Sequence, residues 1–409
     1  MGVDGTRSGT YIRQRGGYRA FLPKPLPPDP PLDIDQTLWA TLSAADRALG
    51  RLDGATEVLP NPDLFVAMYV RREAVLSSQI EGTQASLVDV LEYEAEAARK
   101  GLPADVAEVV NHIQATNYGL QRLKSLPLSL RLIKEIHALL LANVRGGGRS
   151  PGEFRTVQNW IGPAGCSVKE AMFVPPPAAD MMNALSDLEA FLHADVDLPL
   201  LVKVGLVHAQ FETIHPFIDG NGRIGRLLIT FLLCQRGVLR SPLLYLSHYL
   251  KRNRTEYYDR LMAVRDQGDW EGWLKFFLRG MAEVANEATD TARKILHLRE
   301  AHRDFVSQHV RGTANGLRLL DVLYERPIVT VSLVAKKLDV SNPTANNLVN
   351  QFEDMGLLTE RTGRRRNRLF SYQPYLSLFE DEPPANNSKP ADIGTDATTV
   401  TTDPPRASG

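Results

Sequence analysis

Apolar residues recur along most of this chain at the three-to-four-residue spacing of a helix that buries one side. From about Asp35 to Leu141 the pattern predicts successive amphipathic helices, including one over Leu64–Leu76 that Asn61-Pro62-Asp63 would open. The periodicity breaks around Gly152–Gly162, returns over Ala179–His193 and Leu198–Ile214, and resumes from about Leu244 to Ala288, with a linking helix reaching about Val310. The run Leu227–Leu233 is apolar on every side, so it predicts a helix buried all round.

Three stretches depart from helical spacing. Residues 18–28 are extended, Pro-punctuated and studded with apolar side chains, which predicts an arm lying across the surface of the helical body. The segment from Gly152 to Pro177 predicts a β-hairpin flap on that body. The tail from Glu380 onwards holds almost no large apolar side chain and is expected to be disordered.

Between the helices Leu198–Ile214 and Leu227–Leu233 lies His215-Pro216-Phe217-Ile218-Asp219-Gly220-Asn221-Gly222-Arg223-Ile224-Gly225-Arg226. A Gly-rich turn that opens a helix presents unpaired N–H groups and the positive end of the macrodipole to an anion. Arg223 and Arg226, three apart, would reach the same anion, which suits a polyphosphate. Asp219 is a carboxylate suited to a hard cation, and His215 can serve as a base near neutral pH. No Lys follows the glycines as a P-loop requires, and Arg223 stands where an EF-hand starting at Asp219 needs an oxygen ligand.

Composition adds limits. A formal net charge of -1 over 409 residues gives no global pull towards nucleic acid or membrane. Two cysteines, Cys166 and Cys234, are too few for a disulfide scaffold, and Cys234 reads as core. No apolar run reaches a membrane span and no signal-peptide h-region opens the chain, so a cytoplasmic location is expected; Met1–Thr6 fits only a loose myristoylation pattern.

The twelve-residue segment resembles the Fic signature, His-x-Phe-x-Asp/Glu-Gly-Asn-Gly-Arg-x-x-Arg, at every fixed position. At average residue usage such a match arises roughly once in 10^10 starts. The resemblance implies a protein adenylyltransferase that moves AMP from ATP to Ser, Thr or Tyr hydroxyls and releases pyrophosphate. It implies His215 as the catalytic base, Phe217 as an apolar anchor and Asp219 as the Mg²⁺ ligand, with Mn²⁺ as a substitute. Gly220, Asn221, Gly222, Arg223, Ile224, Gly225 and Arg226 would line the ATP site, with Tyr258, beside Tyr257, towards the adenine. The flap around Ile161–Val174 would hold the target segment by strand-like pairing.

A second segment, Ser77-Ser78-Gln79-Ile80-Glu81-Gly82, resembles the inhibitory motif of the same family, with Ser77, Glu81 and Gly82 on its fixed positions. Glu81 would occupy Arg226 and so touch the ATP site, turning the α-phosphate away from in-line attack. Val331–Ser341 and Asn342–Gly356 read as helix, turn, helix, and then come strands Leu357–Arg361 and Arg368–Tyr372 with a basic tip at Gly363–Asn367. That pattern predicts a winged helix-turn-helix able to contact DNA or protein.

The expected architecture is mainly α, with a Fic helical core, a small β-hairpin flap, an N-terminal helical region and a C-terminal winged helix-turn-helix. Residues 1–110 would hold the arm and inhibitory motif, 111–290 the catalytic core, 291–376 the linker helix and winged helix, and 377–409 a disordered tail. Expected partners are ATP, a target hydroxyl on the flap (the chain's own included), a second copy in a homodimer and DNA, with no membrane. The alternative is a DNA-binding transcriptional regulator whose Fic core senses nucleotide.

Overall fold

The computed structural model describes residues 5–57, 62–95, 103–144, 150–379 and 397–401. Three short strands open it: β1 (Gly5–Thr6), β2 (Gly9–Arg13) and β3 (Arg19–Pro23). The helical body comprises first α1 (Gln36–Glu57), α2 (Pro62–Ile80), α3 (Leu87–Ala95), α4 (Ala104–Arg122) and α5 (Leu130–Leu140). After strand β4 (Asn159–Pro163) come α6 (Ala178–His193), α7 (Leu200–Ile214), α8 (Asn221–Gln235), α9 (Ser247–Arg252), α10 (Arg254–Gln267) and α11 (Trp270–His309). The last unit is α12 (Thr313–Glu325), β5 (Ile328–Thr330), α13 (Val331–Leu338), α14 (Asn342–Asp354), β6 (Thr359–Glu360), β7 (Leu369–Ser371) and α15 (Gln373–Leu376), and strand β8 (Ala397–Thr401) closes the described chain.

The helix starts reflect local chemistry. Asp269, Thr330 and Ser341 accept hydrogen bonds from Gly272, Leu333 and Thr344 N–H, which satisfies donors that a first turn leaves unpaired. The apolar run Leu227–Leu233 of α8 is enclosed as its composition requires, between α7, α4 and α5. α1 lies along the forty-residue α11, and one continuous apolar core runs from Leu38 to Phe379. The winged helix is therefore welded to the helical body: Phe65 of α2 packs on Tyr324 of α12 with ring centroids 6.0 Å apart.

The helical body and the winged helix-turn-helix match expectation, with β5, β7 and β6 forming a three-stranded antiparallel sheet. Three details differ. The N-terminal arm is a three-stranded antiparallel sheet, because Ala20 and Phe21 bury in the direction of the flap and Phe21 N–H donates to Val174 O at 2.8 Å. The hairpin flap is reduced to β4 and a single bridge from Ile161 to Phe173, since the stretch between them, which includes Gly165 and Ser167, makes turns instead of a ladder.

The tail is the third. Ser377–Phe379 form a 3₁₀ turn that buries the Phe379 ring edge-on to Tyr69, and Ala397–Thr401 pair antiparallel with β4. Met1–Asp4, the Asn61 cap and most of the tail lie outside the described residues. Cys234 is half-buried against the core and Cys166 is half-buried beside the flap; both are free. No helix among the described residues is long and apolar enough to cross a membrane.

α4 seats on α8 through Gly119, where an added Cβ would stand 2.4 Å from Phe231 Cζ. Gly119→Val is expected to cost about 1–3 kcal/mol of stability by overpacking, read as a lower denaturant midpoint at unchanged slope.

Candidate active site

The signature loop is built by backbone geometry first. α7 stops at His215, which adopts the left-handed conformation (φ 49°), and Gly220 repeats that conformation (φ 77°) immediately before α8. Between these corners the chain folds on itself: Asn221 Oδ1 accepts from Phe217 N–H at 2.8 Å while its Nδ2 donates to Phe217 O at 2.8 Å. The Asn221 side chain is thus spent on the loop, and only backbone N–H groups at the α8 N-terminus face an anion. Phe217 is fully buried and stacks on His137 at 3.7 Å, so it anchors the loop as expected.

Residues outside the signature hold it in place. His137 Nδ1 accepts from Gly152 N–H at 2.8 Å, which puts the ring proton on Nε2, 3.0 Å from Asp219 O. Arg155 of the flap segment donates to His215 O at 2.9 Å and to Pro176 O at 2.5 Å, and Asn159 donates to Phe217 O at 2.8 Å. His208 Nδ1–H donates to Gly225 O at 2.9 Å and its Nε2 accepts from Tyr257 O–H at 2.9 Å. Tyr257 is therefore core, whereas half-buried Tyr258 lies within reach of the Glu81 charge; burial, then Glu81, push its phenol up to about 12.

The two arginines are almost fully buried. Arg226 Nη2 lies 2.6 Å from Glu81 Oε1 and 3.0 Å from Ser77 O, and its Nε donates to Ser77 Oγ at 2.8 Å. Burial alone would raise the Glu81 carboxyl, but the adjacent Arg226 guanidinium holds it below the ordinary value. Gly82 ends the turn after α2 with φ 97°, and a Cβ at Gly222 would stand 2.2 Å from Glu81 Oε1, so any side chain there would displace the Glu81 carboxylate. Ile224 is buried and Gly225 backs onto Glu212, whose Oε1 would lie 2.3 Å from a Cβ.

Arg223 has a partner that sequence spacing does not reveal: Glu108 of α4 lies 3.3 Å from its Nη1, and Glu108 also accepts from Thr83 Oγ1 at 3.1 Å. Asp219 Oδ1 accepts from Gly220 N–H at 2.7 Å and lies 3.6 Å from Arg223 Nη2. No group of three or more metal-ligand side chains occurs among the described residues. A single, 30 % exposed carboxylate next to a phosphate cradle fits Mg²⁺, which keeps most of its waters and takes few protein oxygens.

Residues 39–121 match the family model of the Fic/DOC family N-terminal region, 127–233 that of the Fic/DOC family, and 317–370 that of an HTH DNA binding domain. A probable protein adenylyltransferase of Aquifex aeolicus is 27 % identical over 49 % of this chain and 57 % of its own length. The protein adenylyltransferase Fic of Aedes aegypti is 34 % identical over 40 % of this chain and 29 % of its own length. The chain thus spans little more than half of the first relative and under a third of the insect one.

A Fic family protein from Desulfovibrio desulfuricans G20 superposes with a TM-score of 0.54 over 84 % of this chain and 97 % of its own, at 20 % identity, a likeness of fold alone. Fold and site define a helical protein that opens a helix N-terminus onto two buried arginines. Residues 39–121 and 127–233 of this chain are thus Fic/DOC-family regions, and a helix-turn-helix domain follows them.

The site predicts an acid response. Burial pushes His112 and His215 down to about 3 and His137 and His208 down to about 4. Their unfolded counterparts protonate near 6.5, so the stability they carry is complete above about pH 6.5 and is lost as pH falls. Buried Glu73 and Glu212, pushed up to about 7, act in the opposite sense and offset part of the loss down to about pH 4.5. Unfolding free energy is expected to fall by about 2–3 kcal/mol per pH unit between pH 6 and 5, and His208→Gln to flatten that slope, both read by denaturant titration.

Proposed function

We propose that this protein is a self-restrained protein adenylyltransferase, transferring AMP from ATP to Ser, Thr or Tyr hydroxyls of target proteins. The observation that carries the reading is the joint placement of His215, the α8 N-terminus, Arg223 and Arg226, with Glu81 seated on Arg226. Family membership and the names of the relatives support the reaction class.

His215 is the base. Burial first, and then the charges of Arg155 and Arg265, hold its imidazole far below the ordinary value, so it is neutral in the empty site, and the negative charge of an arriving polyphosphate would oppose both causes and restore its basicity. The triphosphate lies on the N–H groups of the α8 N-terminus, with Arg223 and Arg226 on its β/γ end. Asp219 would hold Mg²⁺, or Mn²⁺ in its place, and such an ion would supply positive charge to the phosphates. The target hydroxyl attacks the α-phosphorus as His215 takes its proton, the bond to the β-phosphate oxygen breaks, and pyrophosphate leaves.

The target lies along β4, where an extended segment adds by backbone pairing. β4 accepts such a partner within this chain: Ile161 faces Thr399 and Asn159 faces Thr401. The chain's own hydroxyls are therefore among the acceptors, and a homodimer would supply a second copy's. Glu81 is the brake, because the guanidinium it holds cannot orient the γ-phosphate. These activities belong to the cytoplasm, where ATP and Mg²⁺ are at hand.

A second reading rests on the winged helix. Thr344, Asn346 and Asn347 of α14 and Arg364, Arg365 and Arg366 of the wing are all exposed, the arrangement by which one helix enters a major groove and a basic tip touches phosphate. On that reading the chain regulates transcription, and its Fic core senses nucleotide.

With α-labelled ATP, Mg²⁺ and host lysate, Glu81→Gly is expected to raise protein labelling at least tenfold over the parent. Glu81→Gly/His215→Ala should abolish it. Equal or lower labelling in the single variant would refute the brake. No labelling in any lane, together with sequence-specific retention of duplex DNA, would favour the regulator.

A further inference from the structure

α4 carries a polar group against the arginine cradle that the reaction above does not use. Glu108 touches Arg223 at 3.3 Å, so this side of α4 faces the site. One helical turn on, His112 is 1 % exposed, and neither ring nitrogen has a hydrogen-bond partner among the described residues. The charges that reach it are Arg223 and Arg226, the two guanidiniums of the cradle.

The plain alternative is a histidine that merely packs. This fold treats its packing histidines differently. His137 and His208 are equally enclosed, and each has both ring nitrogens engaged: His137 by Gly152 N–H and Asp219 O, His208 by Gly225 O and Tyr257 O–H. A buried imidazole left unpaired loses the hydrogen bonds that water would supply, and so calls for a reason. His112 cannot gain by protonation, since burial and both arginines oppose a further positive charge. It is a neutral ring with one N–H to give, on the side of α4 that carries the Arg223 contact. α4 is also held firmly, with Gly119 against Phe231 and Glu108 tied to Thr83.

We propose that His112 is a nucleotide-binding residue whose ring N–H donates to a terminal-phosphate oxygen of ATP once Glu81 has left Arg226. This rests on the polyphosphate reading of the cradle and extends it to α4. It gives the site a means of favouring a triphosphate over shorter nucleotides, because the bond exists only where the β/γ end is present.

The test measures binding rather than turnover. In the Glu81→Gly background, titration calorimetry with Mg²⁺ compares ATP and AMP for the parent, His112→Leu and His112→Gln. His112→Leu is expected to weaken ATP about tenfold with AMP unchanged, and His112→Gln, which keeps a donor, to recover part of the loss. Equal losses for ATP and AMP, or no loss for ATP in a variant as stable as its parent, would overturn the assignment.

Should the leucine variant not fold, nitrogen-15 NMR of the histidine rings in the Glu81→Gly parent decides. A His112 imidazole shift with ATP and none with AMP supports the proposal, and no shift with ATP overturns it. If the Glu81→Gly parent binds neither nucleotide, the polyphosphate reading itself falls and takes this inference with it. Intact ATP binding that ignores His112 removes this inference alone.

Discussion

The buried guanidinium of Arg226 is the constraint around which the rest of the site is arranged. A cation enclosed this far from water is tolerable only with anionic or carbonyl partners close by. Here they are Ser77 Oγ, Ser77 O and Glu81 Oε1, all from the C-terminal end of α2. The same guanidinium sits one turn into α8, where a polyphosphate would be drawn by the helix N-terminus. On the proposed reading, Glu81 and a phosphate answer one electrostatic need and would exclude one another. Restraint of this kind requires no separate regulatory domain, only that α2 end in the right place.

What holds α2 there is a wide apolar contact. Tyr69 packs against Tyr245 and Phe379 and donates to Ala288 O, Phe65 meets Tyr324, and Glu73 accepts from Ser247 N–H at 3.1 Å. Those partners come from the helical body on one side and from the winged-helix end on the other. Burial of several aromatic rings supplies more net free energy than a single ion pair withdrawn from water, so the Glu81 contact inherits its position from the core. The wing adds a further tie, Arg361 to Glu92 of α3 at 3.1 Å. A helix wedged between two modules can respond to either, by linkage alone.

The parts legible in the sequence were those whose chemistry is local. The loop from His215 to Arg226 is contiguous, its glycines are needed where φ is positive or a carboxylate passes close, and its arginines keep helical spacing. Ser77 to Gly82 is likewise one turn of chain, and the helix-turn-helix announces itself by caps and period. What could not be read was long-range. Glu108 lies 115 residues from Arg223, and Arg155 reaches His215 O across 60. Neither stands in a spacing that single-sequence patterns reveal. The N-terminal arm pairs Thr10 with Leu22 and Ile12 with Ala20 around a Gln14–Tyr18 turn whose Gly16-Gly17 is a local hairpin cue, but the prolines that follow read as an extended arm and mask it.

The histidines make the same point in energetic form. Four imidazoles are driven well below their ordinary value by one cause, burial, yet they serve different ends. His137 and His208 exchange solvation for fixed hydrogen bonds, and so position Asp219, Gly225 and the loop between them. His215 and His112 instead leave both ring nitrogens without a hydrogen-bond partner among the described residues, so a neutral ring can still accept or donate a hydrogen bond to an arriving group. A depressed value alone does not separate structural from chemical histidines. The partner of each nitrogen does, and only the folded chain supplies that.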